Sequence, residues 1–375
     1  MVYLDNAATT ALTPSVISAM TNLMAENFGN PSSLHSYGRQ ASQTLRKARQ
    51  TIANCLNIPA NHLVFTSGGT ESNNMAIKGY ALANQDKGKH IITTAIEHHS
   101  VLDVMEYLTE RFGFEVTYLY PENGTISPKQ VKQALREDTI LVSTMYANNE
   151  TGHILPVRDI AELLTDHQAV YHIDGVQVAG KLPINLDELG CDFFSLSAHK
   201  FHGPKGVGLL YAKPHKMDNL LHGGDQEDKR RASTENLIGI VGMAQALSDV
   251  TAEQEKNFKH VLDLRQHLLT ELEHSPLNWY SNSPSDGLPH VLNIGFTGAN
   301  NELLLTQLDL AGFALSSGSA CTAGAIEPSH VLKAFYGEKS PCLRESIRIS
   351  LSEFTSPEEL TQLVQTFTNF LSKGE

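Results

Sequence analysis

A lysine that directly follows a short apolar run carries the most chemistry in this sequence. The segment Ser197-Ala198-His199-Lys200-Phe201-His202-Gly203-Pro204-Lys205-Gly206 comes just after Phe193-Phe194-Ser195-Leu196. An amine emerging from a strand is partly buried, and burial favours the neutral, nucleophilic form that condensation with an aldehyde requires. Most loop lysines are simply solvated. The flanking Ser, His and Gly, which allow a ligand close approach, set this one apart. His172-x-Asp174-x-x-Gln177 places a carboxylate at another strand end. Asp174 could hold a protonated pyridine nitrogen by a charge-assisted hydrogen bond, with Gln177 near a phenolic oxygen of the same ring. It could equally start an Asx turn into Gly175. Thr66-Ser67-Gly68-Gly69-Thr70 leads into a helix, so glycines and free N–H groups would meet an anion such as phosphate. No Gly-Lys-Ser/Thr follows, so this is not a Walker motif. Finally, Ser316-Ser317-Gly318-Ser319-Ala320-Cys321-Thr322-Ala323-Gly324 sets one cysteine among small residues. That run predicts a mobile loop with an accessible thiol, suited to a sulfur carrier that visits a donor and then an acceptor.

These groups need elements to bring them together. Short apolar runs alternate with helical patterns from residue 62 onward: 63–66, 91–94, 115–120, 140–144, 169–173, 193–196 and 207–211. This alternation predicts a mainly parallel α/β sheet. Polar clusters follow five of the runs: Ser67–Thr70, then Glu97-His98-His99, Asn148-Asn149-Glu150, 174–177 and 197–200. Ligands of open parallel sheets bind outside the carboxyl ends of the strands, so five such clusters predict one site. Before the sheet, Thr13 and Pro14 open a helix with the apolar stripe Val16, Ile17, Met20, Leu23 and Met24, and a second helix is expected over about 39–56. From about residue 253 the pattern changes to a long amphipathic helix, strand-like runs at 291–296 and 347–351, and a last helix opened by the capping box Ser356-Pro357-Glu358-Glu359. The expected architecture is α/β, a large domain with a mostly parallel sheet plus a smaller α+β domain. One long helix is expected to span their boundary near 252.

The 375 residues suit two domains. Hydrophobic residues at 41% and charged residues at 18% are ordinary for a globular protein. The net charge of −13 disfavours a nucleic-acid binder and direct contact with nucleic acid. No apolar run reaches membrane-spanning length and the N-terminus lacks a signal-peptide pattern, so a cytoplasmic protein without membrane contact is expected. The four cysteines form no C-x-x-C pair, which argues against a zinc ribbon or thioredoxin motif. Cys55 and Cys191 fit inert buried positions and Cys342 is unassigned. No metal site is expected: His98, His99 and His172 lack zinc-ligand spacing.

The chain resembles the cysteine desulfurases of the NifS/IscS type, within the fold-type I pyridoxal-phosphate enzymes of the class V aminotransferase superfamily. The likeness runs from Tyr3-Leu4-Asp5-Asn6-Ala7-Ala8-Thr9-Thr10 through Asn30-Pro31-Ser32-Ser33-x-His35, Glu97-His98-His99-Ser100, His172–Gln177, Ser197–Gly206 and Arg230–Asn236 to Ile347-Arg348-Ile349-Ser350-Leu351. The Ser-Ser-Gly-Ser-Ala-Cys form resembles the long-loop subgroup. The resemblance implies a homodimer, with a cofactor domain over 14–252 and a small domain from 1–13 and 253–375. It implies that Lys200 binds pyridoxal phosphate covalently and that His98 stacks on its ring and shuttles protons. Asp174 and Gln177 would hold the ring's polar atoms, and Gly69, Thr70, Ser197 and His199 the phosphate, with Thr234 reaching over from a second subunit. Asn149, Arg348 and Asn30 would bind the substrate L-cysteine, and Cys321 would carry the persulfide. The implied acceptor is a protein, an iron–sulfur scaffold or a tRNA-thiolating enzyme. Two positions depart from the family pattern: Ser233 and Asp225 stand where glycine is usual. Other readings are a selenocysteine lyase or another β-eliminating enzyme of the same fold, a non-catalytic sulfur-relay adaptor, and a metal hydrolase.

Overall fold

A computed structural model describes residues 1–318 and 328–372. Its strands are β1 (Val2–Tyr3), β2 (Leu63–Thr66), β3 (His90–Thr94), β4 (Glu115–Leu119), β5 (Thr139–Met145), β6 (Val170–Asp174), β7 (Phe193–Ser197), β8 (Gly208–Ala212), β9 (Trp279–Ser281), β10 (Val291–Phe296), β11 (Phe313–Ala314) and β12 (Ser346–Ser350). Seven of them form one sheet in the order β2-β8-β7-β6-β5-β3-β4. Only β8 runs against its neighbours. The carboxyl ends of β2, β3, β5, β6 and β7 therefore open on the same edge.

The inner strands of this sheet are apolar on both faces because helices cover both. Leu63, Phe65, Phe194, Leu196, Leu209 and Tyr211 join one core with Ile52 and Leu56 of helix Ser36–Leu56 and Ile240, Met243 and Leu247 of helix Leu237–Ala252. The alternate residues Val64, Phe193, Leu210 and Ala212 join the opposite core with Met75, Ile77, Val101, Val104 and Leu108. The period of two along each strand splits the side chains between these layers.

A three-stranded antiparallel sheet, β12-β10-β9, packs on helices Gln254–Glu273 and Pro357–Leu371 around a separate core. The last helix has the expected capping box, with both of its reciprocal hydrogen bonds. The long helix expected across residue 252 is instead two helices that meet at Glu253. Glu253 N–H closes the first on Asp249 O at 3.2 Å, and its own carbonyl accepts from Asn257 N–H at 2.9 Å to open the second. Each helix serves a different core, so a single straight helix would satisfy only one of them.

The N-terminus joins the two sheets. β1 pairs in parallel with β11. Ser350 N–H then donates to Leu4 O at 2.7 Å, and Thr10 N–H reaches His199 O at 2.9 Å. Residues 5–10 thus form a strap from β12 to the carboxyl edge of the large sheet.

The first helix, Pro14–Glu26, departs from its reading. Thr13 stands at the cap position, but its hydroxyl pairs with Ser15 Oγ at 3.0 Å rather than with a backbone N–H. Of the expected stripe only Val16 is fully buried, whereas Ile17 and Met24 face outward with Phe28, Leu34 and Tyr37. Periodicity located the apolar residues but not what covers them.

Ser233, one of the two departures from the family glycines, has a φ of 94°. A Cβ at positive φ costs about 1–2 kcal/mol, against about 0.5–1 kcal/mol for the extra freedom glycine regains on unfolding. The strain is the larger effect. Ser233→Gly should therefore stabilise the chain by about 0.5–1 kcal/mol, read as a raised denaturant midpoint with unchanged slope; an equal or lower midpoint would show that the serine is not strained.

Candidate active site

The five strand ends and the N-terminal strap line one open cleft. Of the residues singled out from the sequence, Gly69, Thr70, His98, Asn149, Asp174, Gln177, Ser197, His199, Lys200 and Arg348 all line it. Thr234 and Asn30 do not; both are exposed on the surface of this chain. Cys321 lies outside the described residues.

Lys200 sits in the single 3-10 turn that follows β7. Its Nζ donates to Ala7 O at 2.6 Å and Ala8 O at 2.8 Å, both on the strap. Gln177 Nε2 donates to the same Ala7 carbonyl at 3.1 Å. Two backbone carbonyls therefore fix the amine at the mouth of the cleft, where an aldehyde carbon can meet it.

Asp174 ends β6 and is buried. The Asx turn forms, and the residue also lines the cleft. Its Oδ1 accepts from Val176 N–H at 3.0 Å, which is an Asx turn, and its Oδ2 accepts from Asn73 Nδ2 at 2.8 Å. Asn73 also donates to Ser100 Oγ at 2.9 Å. Ser100 Oγ in turn lies 2.9 Å from His98 Nδ1, and Ser100 N–H donates to the same nitrogen at 3.0 Å. Nδ1 is thus the acceptor, which places the proton of the neutral ring on Nε2. Burial is the chief cause that pushes the His98 pKa below its ordinary value, helped by the Lys200 charge and opposed by Asp174. His98 is also the cap of helix His99–Phe112.

Asn73 and Ser100 were not singled out from the sequence. Their partners stand 101 and 27 residues away along the chain. A polar residue one helical turn after Gly69 was the only available signal.

Gly69, Thr70, Ser197 and His199 gather at one end of the cleft. A Cβ on Gly69 would stand 2.8 Å from Val176 Cγ2, so only glycine lets this turn close on the β6 end. Glu71 ties the turn down: its Oε2 accepts from Ser67 N–H at 2.7 Å, and its Oε1 pairs with Arg231 Nε at 2.8 Å. His199 is pushed down to about 4, first by burial and then by Lys200, Lys205 and Lys181, so it meets an anion as a neutral donor.

At the opposite end, Arg348 rises from β12 and is only 1% exposed. Its Nη1 donates to Asn149 O at 3.0 Å and its Nη2 to Asp5 Oδ1 at 2.8 Å. Its Nε is buried and has no hydrogen-bond partner among the described residues. A buried guanidinium with a donor to spare is suited to a carboxylate. Gln177 Oε1 and Asn73 Oδ1, on the cleft lining, are also buried without a partner among the described residues. Spare polar atoms around an amine, a buried carboxyl and an anion turn fit a planar pyridine aldehyde that carries a phosphate.

The three histidines weighed as metal ligands do not converge. His172 is fully buried between Ser143 Oγ at 2.8 Å and Ser195 Oγ at 3.0 Å, and burial lowers it to about 3. His99 pairs with Asp103 at 3.2 Å on the surface. Cys191 is buried and pushed up to about 12, Cys342 is buried beside Ser340, and Cys55 is partly buried. None of these three is an activated thiol.

Beneath His98 lies a further buried acid. Glu97 Oε1 accepts from Thr94 Oγ1 at 2.6 Å and Met145 N–H at 2.9 Å, which ties the turn after β3 to β5. Burial, with a smaller push from Asp174, raises its pKa to about 8 against those two hydrogen bonds. Between the ordinary carboxylate range and pH 8 the folded state keeps a proton that the unfolded chain releases, so stability falls as pH rises. Glu97→Gln should flatten the melting-temperature profile between pH 5 and 8; a wild-type slope in that variant would show that Glu97 is ionised when folded.

The comparisons with known proteins agree with this geometry. The profile of the class-V aminotransferases matches residues 2–363. The cysteine desulfurase IscS of Dictyoglomus turgidum is 44% identical over 375 residues, covering 99% of this chain and 95% of that protein. The putative cysteine desulfurase IscS 1 of Bacillus subtilis is 47% identical over 362 residues, covering 96% of this chain and 95% of its own length. The solved structure of a NifS-like protein superposes with a TM-score of 0.93 at 36% identity, covering 99% of each chain.

Proposed function

The chain belongs to the class-V aminotransferase family, and on that premise we propose the reaction: it is a pyridoxal-phosphate enzyme that converts L-cysteine to L-alanine and holds the sulfur as a persulfide on Cys321. The observation that carries this reading is the convergence of Lys200, Asp174, His98 and Arg348 on one cleft. Pyridoxal phosphate, when bound, supplies an electron sink for the substrate's Cα.

The residues divide the remaining work. Gly69, Thr70, Ser197 and His199 hold the phosphate. Asp174, oriented by Asn73 and Val176 N–H, keeps a proton on the pyridine nitrogen. Gln177 meets the phenolic oxygen. Arg348, with Asn149, fixes the substrate carboxylate. The Lys200 amine binds the cofactor at rest and, once displaced by substrate, moves the Cα proton. His98 packs on the ring and passes protons through Nε2. The Cys321 thiolate attacks the substrate sulfur: a new S–S bond forms, the substrate C–S bond breaks, and the electron pair of that bond stays with Cβ, which takes a proton to become alanine's methyl group. One cysteine and one enzyme thiol give one alanine and one enzyme persulfide.

A homodimer accounts for the residues that stay outside the cleft. Thr234 and Asn30 are exposed, as is the apolar face of Ile17, Met24, Phe28, Leu34 and Tyr37. A second copy over that face would bury it and bring Thr234 to the neighbouring phosphate turn. The acidic net charge favours a basic protein as sulfur acceptor, an iron–sulfur scaffold or a tRNA-thiolating enzyme. The thiols Cys55, Cys191 and Cys342 are unpaired, which suits the reducing cytoplasm.

Incubation with L-cysteine and dithiothreitol should yield alanine and sulfide in equal amounts. Lys200→Ala should lose the visible absorbance of the purified wild type; a retained band would remove this lysine from its role. Cys321→Ser should still change its spectrum on adding cysteine but release no sulfide above background. Normal turnover by that variant would assign the persulfide elsewhere.

A further inference from the structure

Arg348 is charged and only 1% exposed, so its guanidinium needs a compensating partner. That partner is Asp5. Its Oδ1 accepts from Arg348 Nη2 at 2.8 Å and from Ser316 Oγ at 3.0 Å. The backbone around it is pinned as well: Tyr3 Oη donates to Asp5 O at 3.0 Å and to Thr9 O at 2.8 Å. Asp5 does not line the cleft, whereas Arg348 and Asn149 do. The carboxylate therefore meets the guanidinium from outside the cleft lining, while Arg348 itself lines the cleft.

We propose that Asp5 is a positioning residue that sets how tightly the site holds an α-carboxylate. The inference rests on the assignment of Arg348 to the substrate carboxylate. Asp5 does two things to Arg348. It fixes the plane of the guanidinium by accepting a hydrogen bond, and it offsets part of the positive charge that a bound α-carboxylate meets. Substrate and product both carry that carboxylate, so an uncompensated arginine would retain alanine as firmly as it captures cysteine. Asp5 loosens both.

The two effects separate by substitution. Asp5→Asn keeps the Oδ1 acceptor for Arg348 and Ser316 and removes the charge. Asp5→Ala removes both. Affinity is read on the holoenzyme by the change in cofactor absorbance on titration with L-alanine, and with cysteamine, which lacks the carboxylate. Removing one like charge near the ligand in a partly buried site is worth on the order of tenfold in affinity. Asp5→Asn should bind L-alanine about tenfold more tightly and lower the KM for cysteine, with cysteamine unchanged. Asp5→Ala should bind alanine more weakly than Asp5→Asn because the guanidinium is no longer held. Alanine affinity in Asp5→Asn equal to or weaker than wild type overturns the proposal, as does an equal gain for cysteamine. A third variant, Arg348→Lys, tests the underlying assignment: if the preference for alanine over cysteamine survives it, Arg348 does not bind the carboxylate. A wild-type-like Asp5→Asn beside a responsive Arg348→Lys removes only the role of Asp5.

Discussion

The Lys200 amine is held by two carbonyls of a segment that starts in the other half of the molecule, and that segment lines one side of the cleft. Leu4 and Asn6, hydrogen-bonded to Ser350 of β12, help place Ala7 and Ala8 against Lys200. Intramolecular hydrogen bonds are worth about 0.5–1.5 kcal/mol each, so two of them offset most of the rotamer entropy lost in setting the amine's direction. The same strap takes Gln177 through Ala7 O and the Lys200 turn through Thr10. The large sheet thus supplies the lysine, and the small sheet supplies what aims it.

Charge in the cleft is arranged by the same logic. Asp174 accepts a hydrogen bond on each oxygen, while Glu97, deeper and beside the same strands, takes both of its donors on Oε1 and has its pKa raised by burial. The Asn73–Ser100–His98 chain extends from the Asp174 carboxyl to the imidazole, fixing its tautomer without a second carboxylate. At the other end Asp5 and Arg348 form a separate pair, so the positive end of the cleft does not draw on Asp174.

The large sheet was legible because its signal is local. Apolar runs of four to six residues, five of them followed by a polar cluster, marked the strands and the edge where a ligand would sit, and ten of the named residues meet there. Strand ends shifted by a residue: Asp174 belongs to β6, and Ser197 to β7. What could not be read depends on distant partners. Asp5 finds Arg348 across 343 residues, and nothing in the N-terminal sequence distinguishes that aspartate from any other. The break at Glu253 was invisible because helix propensity continues through it, and only the existence of two cores divides it. His98 as a cap was hidden by the neighbouring serine, the more usual capping residue.

The stripe on helix Pro14–Glu26 shows what periodicity establishes. An apolar spacing states that a face will be covered; it does not name the cover. Here Ile17 and Met24 are left uncovered by the described residues, next along the chain to Phe28 at 81% and Leu34 at 91% exposed. Such residues are an association surface when they cluster and neutral when scattered. These lie on one stretch of chain next to Asn30, a residue the cleft of this copy does not use. Thr234 is in the same position, at the end of a segment that turns through three consecutive left-handed residues, Glu227, Asp228 and Lys229, and then Ser233. A backbone in that conformation persists only where neighbours hold it, and Glu227 is held by Arg49 at 2.5 Å and by Phe65 N–H of β2 at 3.0 Å. The strand that ends in the phosphate turn therefore also fixes the segment that presents Thr234 outward. Under the proposed dimer, one strand serves the anion site of its own copy at its carboxyl end and that of its partner through Glu227, which makes the two cofactor sites parts of one assembly.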